Sequence, residues 1–303
     1  MGPTKALLVF CEGPHDVAFV KRVFMNFFHA EKARGTDGDG LKFSEYPAPF
    51  NQLFRASVEK HAVKDLSLDM AHKFFLPDRT LITGDWLILL FNAGGAKQVE
   101  KVKLFLSDFM VLYQESSVFP QDASTVITDA KYLFLYDADH QTPNDIAVWM
   151  QRQFSHIEDV EWSLGEWVIE KHLRGVIQGD KALYVWAGED GKGTLEDILL
   201  PVYMESNSDL IKKSRTFVDD SFSWDIDNAN PKKQFRLKAE QSKAVLCSAG
   251  QGKRPGKSLN VIIDDNVLGD KTIFLGNQPV KNFSSFIMDF TQMNGTSEEN
   301  KEP

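Results

Sequence analysis

Cysteine is scarce in this chain of 303 residues, which has only Cys11 and Cys247. Two thiols cannot build a disulfide framework or a four-cysteine zinc site, so both are read as buried small side chains in a reduced cytoplasm. Long apolar runs are also missing. Trp86 to Phe91 has the length of a strand, against the roughly 20 residues a membrane helix needs, and no membrane span is expected. The stretch Ala6 to Phe10 is too short for the apolar region of an export signal and soon meets the acid Glu12, so export is not expected either. Neither a GxSxG elbow nor a histidine and cysteine cluster at zinc spacing occurs, which leaves serine-hydrolase and zinc-enzyme readings unsupported.

Positive charge is in deficit: 34 Lys and Arg stand against 43 Asp and Glu, a net charge of −9. That balance excludes a protein that coats nucleic acid by charge alone. An acidic chain can still work on nucleic acid if cations neutralise phosphates locally and basic side chains gather in one groove. A hydrophobic content of 43% is enough to bury a sizeable core over this length.

What is present is a repeated strand-then-helix pattern. Lys5 to Phe10 is an apolar strand followed by the turn Cys11-Glu12-Gly13-Pro14-His15-Asp16 and a helix with Val17, Val20, Val23, Phe24, Phe27 and Phe28 at helical spacing. Residues 33–40 read as a loop, and Phe50 to Met70 as a mostly exposed helix, so about 33–84 is taken as an insertion. A second strand, Asp85 to Phe91, ends in Asn92-Ala93-Gly94-Gly95, read as a tight turn with backbone amides approaching a phosphate as the alternative, before a helix carrying Val99, Val102, Phe105, Leu106 and Phe109. A third, Lys131 to Tyr136, ends in Asp137-Ala138-Asp139, and Thr142-Pro143 opens a helix through Phe154. A fourth, Ala182 to Trp186, runs through Gly188 to Gly193 into a helix near Leu195. Such alternation predicts an α/β fold with a mostly parallel, Rossmann-like sheet flanked by helices, and ligands at the carboxyl ends of its strands. Toward the C-terminus, Phe283, Phe286, Ile287 and Phe290 fit an amphipathic closing helix, and 292–303 is a polar tail.

Acids collect at those strand ends. Glu12, Asp16, Asp137, Asp139 and Glu196 suit Mg²⁺ or Mn²⁺, which take oxygen ligands and leave positions for water and phosphate, and two such ions can clamp an in-line displacement at phosphorus. The bland alternative is helix capping. Thr142, Pro143 and Asp145 already account for the helix after the DxD pair, so neither acid is needed there. Thr194 with Asp197 makes a plausible capping pair, which leaves Glu196 open to either role. Gly252-Lys253-Arg254-Pro255-Gly256-Lys257-Ser258 is a near miss for a phosphate-binding loop, because Gln251 stands where glycine is required. It reads as a flexible basic loop, with Lys253, Arg254 and Lys257 as candidates to line a nucleic-acid groove.

The run Cys11-Glu12-Gly13-x-x-Asp16-x-x-Phe19 resembles the first signature of the Toprim superfamily, and Asp137-x-Asp139 its second. Gly193-Thr194-Leu195-Glu196-Asp197 is similar to the G-x-L-E stretch of Toprim domains in OLD-family (overcoming lysogenisation defect) nucleases and their small bacterial relatives. The resemblance spans about Leu7 to Leu246. It implies a single elaborated Toprim-like domain over 1–291, with a C-terminal elaboration at about 205–291. It also implies a Mg²⁺- or Mn²⁺-dependent endonuclease, DNA being a more natural substrate than RNA. Glu12, Asp16, Asp137, Asp139, Thr194 and Glu196 would hold two metals, Glu12 would act in catalysis, and Lys238 would take the place of the family's phosphate-assisting lysine. No ATPase module accompanies these motifs, so ATPase control would need a separate subunit. Cleavage of both strands would call for a homodimer. By analogy alone, a role in antiphage defence follows. The rival readings are a non-catalytic or partner-activated module that binds nucleic acid or protein, and an RNA-processing enzyme.

Overall fold

The computed structural model describes residues 2–62, 75–118, 125–154, 181–188, 190–226 and 228–295. The chain divides into two compact units, one made of Met1–Gly13, Ala30–Phe134 and Trp149–Leu183, the other of Pro14–His29, Leu135–Val148 and Tyr184–Pro303.

The strands form a six-stranded sheet in the order β2-β3-β4-β1-β5-β6, β1 to β4 lying in the first unit and the ends of β5 and β6 in the second. Strand β1 (Lys5–Cys11) lies parallel to β4 (Trp86–Asn92), with Leu8 opposite Leu89 and Phe10 opposite Phe91. Both are buried along almost their whole length, as central strands covered on two faces must be. Strand β5 (Asp129–Asp137) starts level with β1, since the Thr128 amide donates to the Thr4 carbonyl at 2.8 Å. Strand β6 (Lys181–Trp186) closes that edge of a mostly parallel sheet. The expected alternation of strand and helix is therefore present. The other edge is antiparallel: β2 (Glu31–Lys32) pairs with β3 (Arg79–Thr83), and β3 with β4. Gly84, at φ +56°, makes the two-residue turn between β3 and β4 that a side chain would resist. The stretch read as an insertion thus contributes a strand to the sheet itself.

Phenylalanines on neighbouring strands stack across one sheet face. Phe10 lies 5.3 Å from Phe91 and 5.0 Å from Phe134 by ring centroids, and Phe105 of helix α3 (Val99–Val118) caps the row at 5.0 Å from Phe91. Helix α2 (Phe50–Ala62) is less exposed than its composition suggests, because Phe50, Leu53 and Phe54 are buried and Phe50 stacks on Phe109 at 5.1 Å. The expected continuation of this helix to Met70 lies outside the described residues.

The second unit is mostly helical. Helix α1 (Pro14–Phe27) buries Val17, Val20, Val23 and Phe24, as its spacing predicts, and Phe28 just beyond it is buried as well. Helix α4 (Pro143–Phe154) begins here at the expected Pro143. It is followed by α5 (Leu195–Ser206), α6 (Ser208–Ser221), α7 (Pro231–Lys253), α8 (Leu259–Asp264), α9 (Lys271–Gly276) and α10 (Gln278–Thr291). Phe19, Trp186 and Phe283 form a cluster with centroid distances of 5.3 and 4.7 Å, so the C-terminal amphipathic helix does pack its Phe283, Ile287 and Phe290 face inward. Lys21 of α1 forms a buried ion pair with Asp264 of α8. The tail begins later than its polarity suggests, since Met293 is buried. Among the described residues no helix is long and apolar enough to cross a membrane.

Helices α7 and α8 meet at Gly250, where an added Cβ would lie 1.9 Å from Ile262 Cδ1 and 2.9 Å from its Cγ1. Ile262 is fully buried and has little room to retreat. Gly250→Val is therefore expected to destabilise the protein by about 1 to 3 kcal/mol through overpacking, read as a lowered urea midpoint.

Candidate functional site

The chemistry-bearing residues of the second unit gather where β5 and β6 end. The Ala138 amide donates to the Trp186 carbonyl at 2.9 Å, which sets the two strand ends level. Asp139, with φ +53°, then exchanges two backbone hydrogen bonds with Gly193 at 2.8 and 2.9 Å. Gly193 has φ +120°, and a Cβ there would meet the Asp197 carboxylate at 2.6 Å, so only glycine suits this bridge. The bridge delivers the first turn of α5 to Asp137, whose Oδ1 accepts the Leu195 N–H at 2.9 Å.

The DxD pair therefore has a structural duty that its neighbourhood conceals. As expected, Thr142 and Asp145 cap α4 reciprocally, through Thr142 N–H to Asp145 Oδ2 at 2.9 Å and Asp145 N–H to Thr142 Oγ1 at 3.3 Å. Asp137 instead caps α5, a helix that begins 58 residues downstream. Thr194 is buried, and its N–H donates to Asp197 Oδ2 at 2.8 Å, so this pair caps the helix as its spacing predicts.

Glu196 follows in the first turn of α5, where the helix dipole favours an anion, and its side chain is only 2% exposed. Its Oε1 faces His15 Nδ1 at 3.0 Å and Lys243 Nζ at 3.6 Å. Its Oε2 is buried with no hydrogen-bond partner among the described residues. Burial alone would raise this carboxyl's pKa; the His15 hydrogen bond and the Lys243 charge outweigh it and hold it below its ordinary value. Burial would likewise lower the Lys243 ammonium, but Glu196, Asp137 and Asp16 together keep it above its ordinary value. Asp16, in the first turn of α1, is 5% exposed. Burial pushes the Asp139 carboxyl upward and the Glu196 charge adds to the rise, against His140, Lys243 and Lys232.

No known family pattern, curated protein or solved structure matches this chain. The reading of the site rests on its own geometry.

Asp16, Asp137, Asp139, Thr194 and Glu196 all belong to the second unit, whereas Glu12 belongs to the first. There Glu12 lies against the turn after β4: a Cβ on Gly95 would stand 2.9 Å from its Oε1, and the Ala93 amide donates to the Cys11 carbonyl at 2.7 Å. Lys238 is exposed on α7 and makes no ion pair with a described residue. Lys243 is the lysine beside the acids, and sequence reasoning passed over it. The available signal was its position just before Val245, Leu246, Ala249 and Gly250, where α7 turns from exposed to buried. His15 was passed over as well, since nothing local ties it to a glutamate 181 residues away.

The basic loop after α7 is held together by Gln251, which accepts from the Gly256 amide and donates to the Lys257 carbonyl, each at 2.7 Å. Arg254 is paired with Asp265 at 2.5 Å, while Lys253 and Lys257 are exposed. Of the cysteines, Cys11 is buried and Cys247 half-buried, with burial pushing the Cys247 thiol upward.

In donor type these residues suit a hard cation, since the four carboxylates supply oxygen only. Among the described residues, no three His, Cys, Asp or Glu side chains converge closely enough to grip one in this arrangement. Glu196 Oε1 is engaged by His15 and Lys243, and Asp137 Oδ1 by the Leu195 amide.

Proposed function

We propose that this protein is a metal-dependent nuclease that hydrolyses nucleic-acid phosphodiesters, DNA before RNA. The observation that carries the reading is Glu196, a carboxylate almost completely withdrawn from water yet held ionised between His15 and Lys243 among further carboxylates. Burying a charge in that way is costly unless cations surround it; Lys243 supplies one, and a bound divalent metal would supply another. Asp16, Asp137, Asp139 and Glu196 do not converge as they stand and would have to reorient to hold Mg²⁺ or Mn²⁺, which when bound supplies Lewis acidity at the phosphate and a more acidic water.

The reaction joins a water oxygen to phosphorus, breaks one bridging P–O bond and leaves the water's proton on the departing oxygen. Lys243 supplies a fixed positive charge for the phosphate; the surrounding carboxylates that raise its pKa keep it protonated throughout the neutral range. His15 orients Glu196 through the 3.0 Å contact. The double variant Asp137→Ala/Asp139→Ala is expected to lose Mg²⁺- or Mn²⁺-stimulated cleavage of plasmid DNA. Undiminished nicking by that variant, or no cleavage by the wild type with either metal, would sink the proposal.

A non-catalytic or partner-activated Toprim-like module is the second reading. It is supported by the capping duties of Asp137 and Thr194, which explain two of the acidic-site positions without any metal. Titration calorimetry separates the two, because the scaffold reading expects no heat from millimolar Mg²⁺ or Mn²⁺.

A further inference from the structure

We propose that a nucleic-acid backbone lies along one face of α7, contacting Lys232, Arg236 and Lys243, with Lys192 beside it; this deepens the nuclease reading of the same site and rests on it. Helix α7 carries six Lys or Arg residues and a single acid, Glu240, in a chain whose net charge is −9. At 3.6 residues per turn, positions 232, 236 and 243 fall within an arc of about 40° and extend about 16 Å along the axis. Ala239 lies between them on the same face, where a small side chain lets a sugar-phosphate backbone approach.

Both ends of this stripe are tied to the acids. Lys243 stands 3.6 Å from Glu196 Oε1, and Lys232 and Lys243 both act on the Asp139 carboxylate. The loop that leads into α5 is joined to the start of α7 by Lys192, whose Nζ sits 5.4 Å from the centroid of the Phe235 ring. The positive end of the helix dipole adds to the potential at the Lys232 end, where Asn230 caps the helix.

The stripe is also open to an anion. Lys232 and Arg236 are exposed, and Lys232 has no ion pair among the described residues. Among the described residues Arg236 pairs with Glu240, at 3.4 Å on the surface, where such a pair is worth little and a phosphate competes readily. The basic loop after α7 differs, because Asp265 already neutralises Arg254. A strand laid on α7 would pass phosphates over Arg236 and Lys232 while the one at Lys243 faces the carboxylates. Backbone contacts of this kind position the substrate and carry no sequence preference.

Fluorescence anisotropy of the full chain in EDTA, with labelled single- and double-stranded DNA and RNA oligonucleotides between 50 and 200 mM salt, tests the track without cleavage. Lys232→Gln/Arg236→Gln is expected to bind more weakly and to flatten the slope of log K against log salt by about 1.4 for single strands and 1.8 for duplex. Lys212→Gln/Lys213→Gln, exposed on α6, serves as the charge-matched control and is expected to keep the wild-type slope. With metal added, the α7 variant is expected to raise KM while largely keeping kcat. An unchanged slope in the α7 variant overturns the proposal, as do a loss of slope confined to Lys253→Gln/Lys257→Gln, equal competition by polyglutamate, and no binding by the wild type. Cleavage with α7-independent binding removes the track and keeps the nuclease; α7-dependent binding without cleavage under any metal does the reverse.

Discussion

On the proposed reading, Glu196→Gln is expected to reduce metal-stimulated DNA cleavage by about 100-fold or more, since losing even a partner that only orients a ligand costs about 10- to 100-fold. Glutamine keeps the shape and can still meet His15, so lost activity would report the missing charge rather than a collapsed α5. Stability should change less. Breaking a wholly buried ion pair costs several kcal/mol, but the Lys243 side chain is 42% exposed. Water screens what remains, and a loss of about 1 kcal/mol is expected.

The pH profile gives an independent check. Glu196 is held below its ordinary value near 4.5, so its contribution to stability is present above that pH and fades as pH falls through the lower folded value. Lys243 is held above its ordinary value near 10.5, so its contribution is full below that pH and is lost as pH rises past the higher folded value. Urea midpoints of Glu196→Gln should therefore lack part of the acid-side decline of the wild type and show a smaller alkaline decline. Matching profiles together with matching cleavage rates would reduce Glu196 to a buried structural acid.

The largest stability effect is expected at Phe10→Ala, about 3 to 5 kcal/mol of destabilisation. Phe10 is fully buried at the centre of the stack between Phe91 and Phe134, and β1 cannot move inward to fill the space, because its backbone is paired with β4. Phe217→Ala provides the contrast. That ring is 58% exposed on α6, and its loss should alter the urea midpoint by about 0.5 kcal/mol or less. A cost under 1 kcal/mol for Phe10→Ala would show that the stack is not the centre of the first unit's core.

Where signals are local and strong, sequence and structure agree closely. The runs read as Lys5 to Phe10, Asp85 to Phe91 and Ala182 to Trp186 appear as strands displaced by no more than a residue at either end, because continuous apolar stretches suit strands covered on both faces. The caps at Thr142 with Asp145 and Thr194 with Asp197 are contacts across three residues, which any reader of the chain can see. Edge strands were harder to find. Of the two antiparallel strands, Glu31–Lys32 at the edge is exposed and Arg79–Thr83 only partly buried, so neither has a long apolar run, and their identity depends on the strands they pair with.

The acids named at the outset divide along the same line. Their residue types and places after strands were written in the sequence, as was the α/β framework that carries them. Only the tertiary structure decided that Asp137 caps a helix 58 residues away and that Glu196 is buried against His15 and Lys243. The physical reason is range. Periodicity and capping act over a few residues and leave their mark on the chain, whereas the charge on a buried carboxylate depends on groups that the chain separates by 47 to 181 positions and only folding brings within 4 Å.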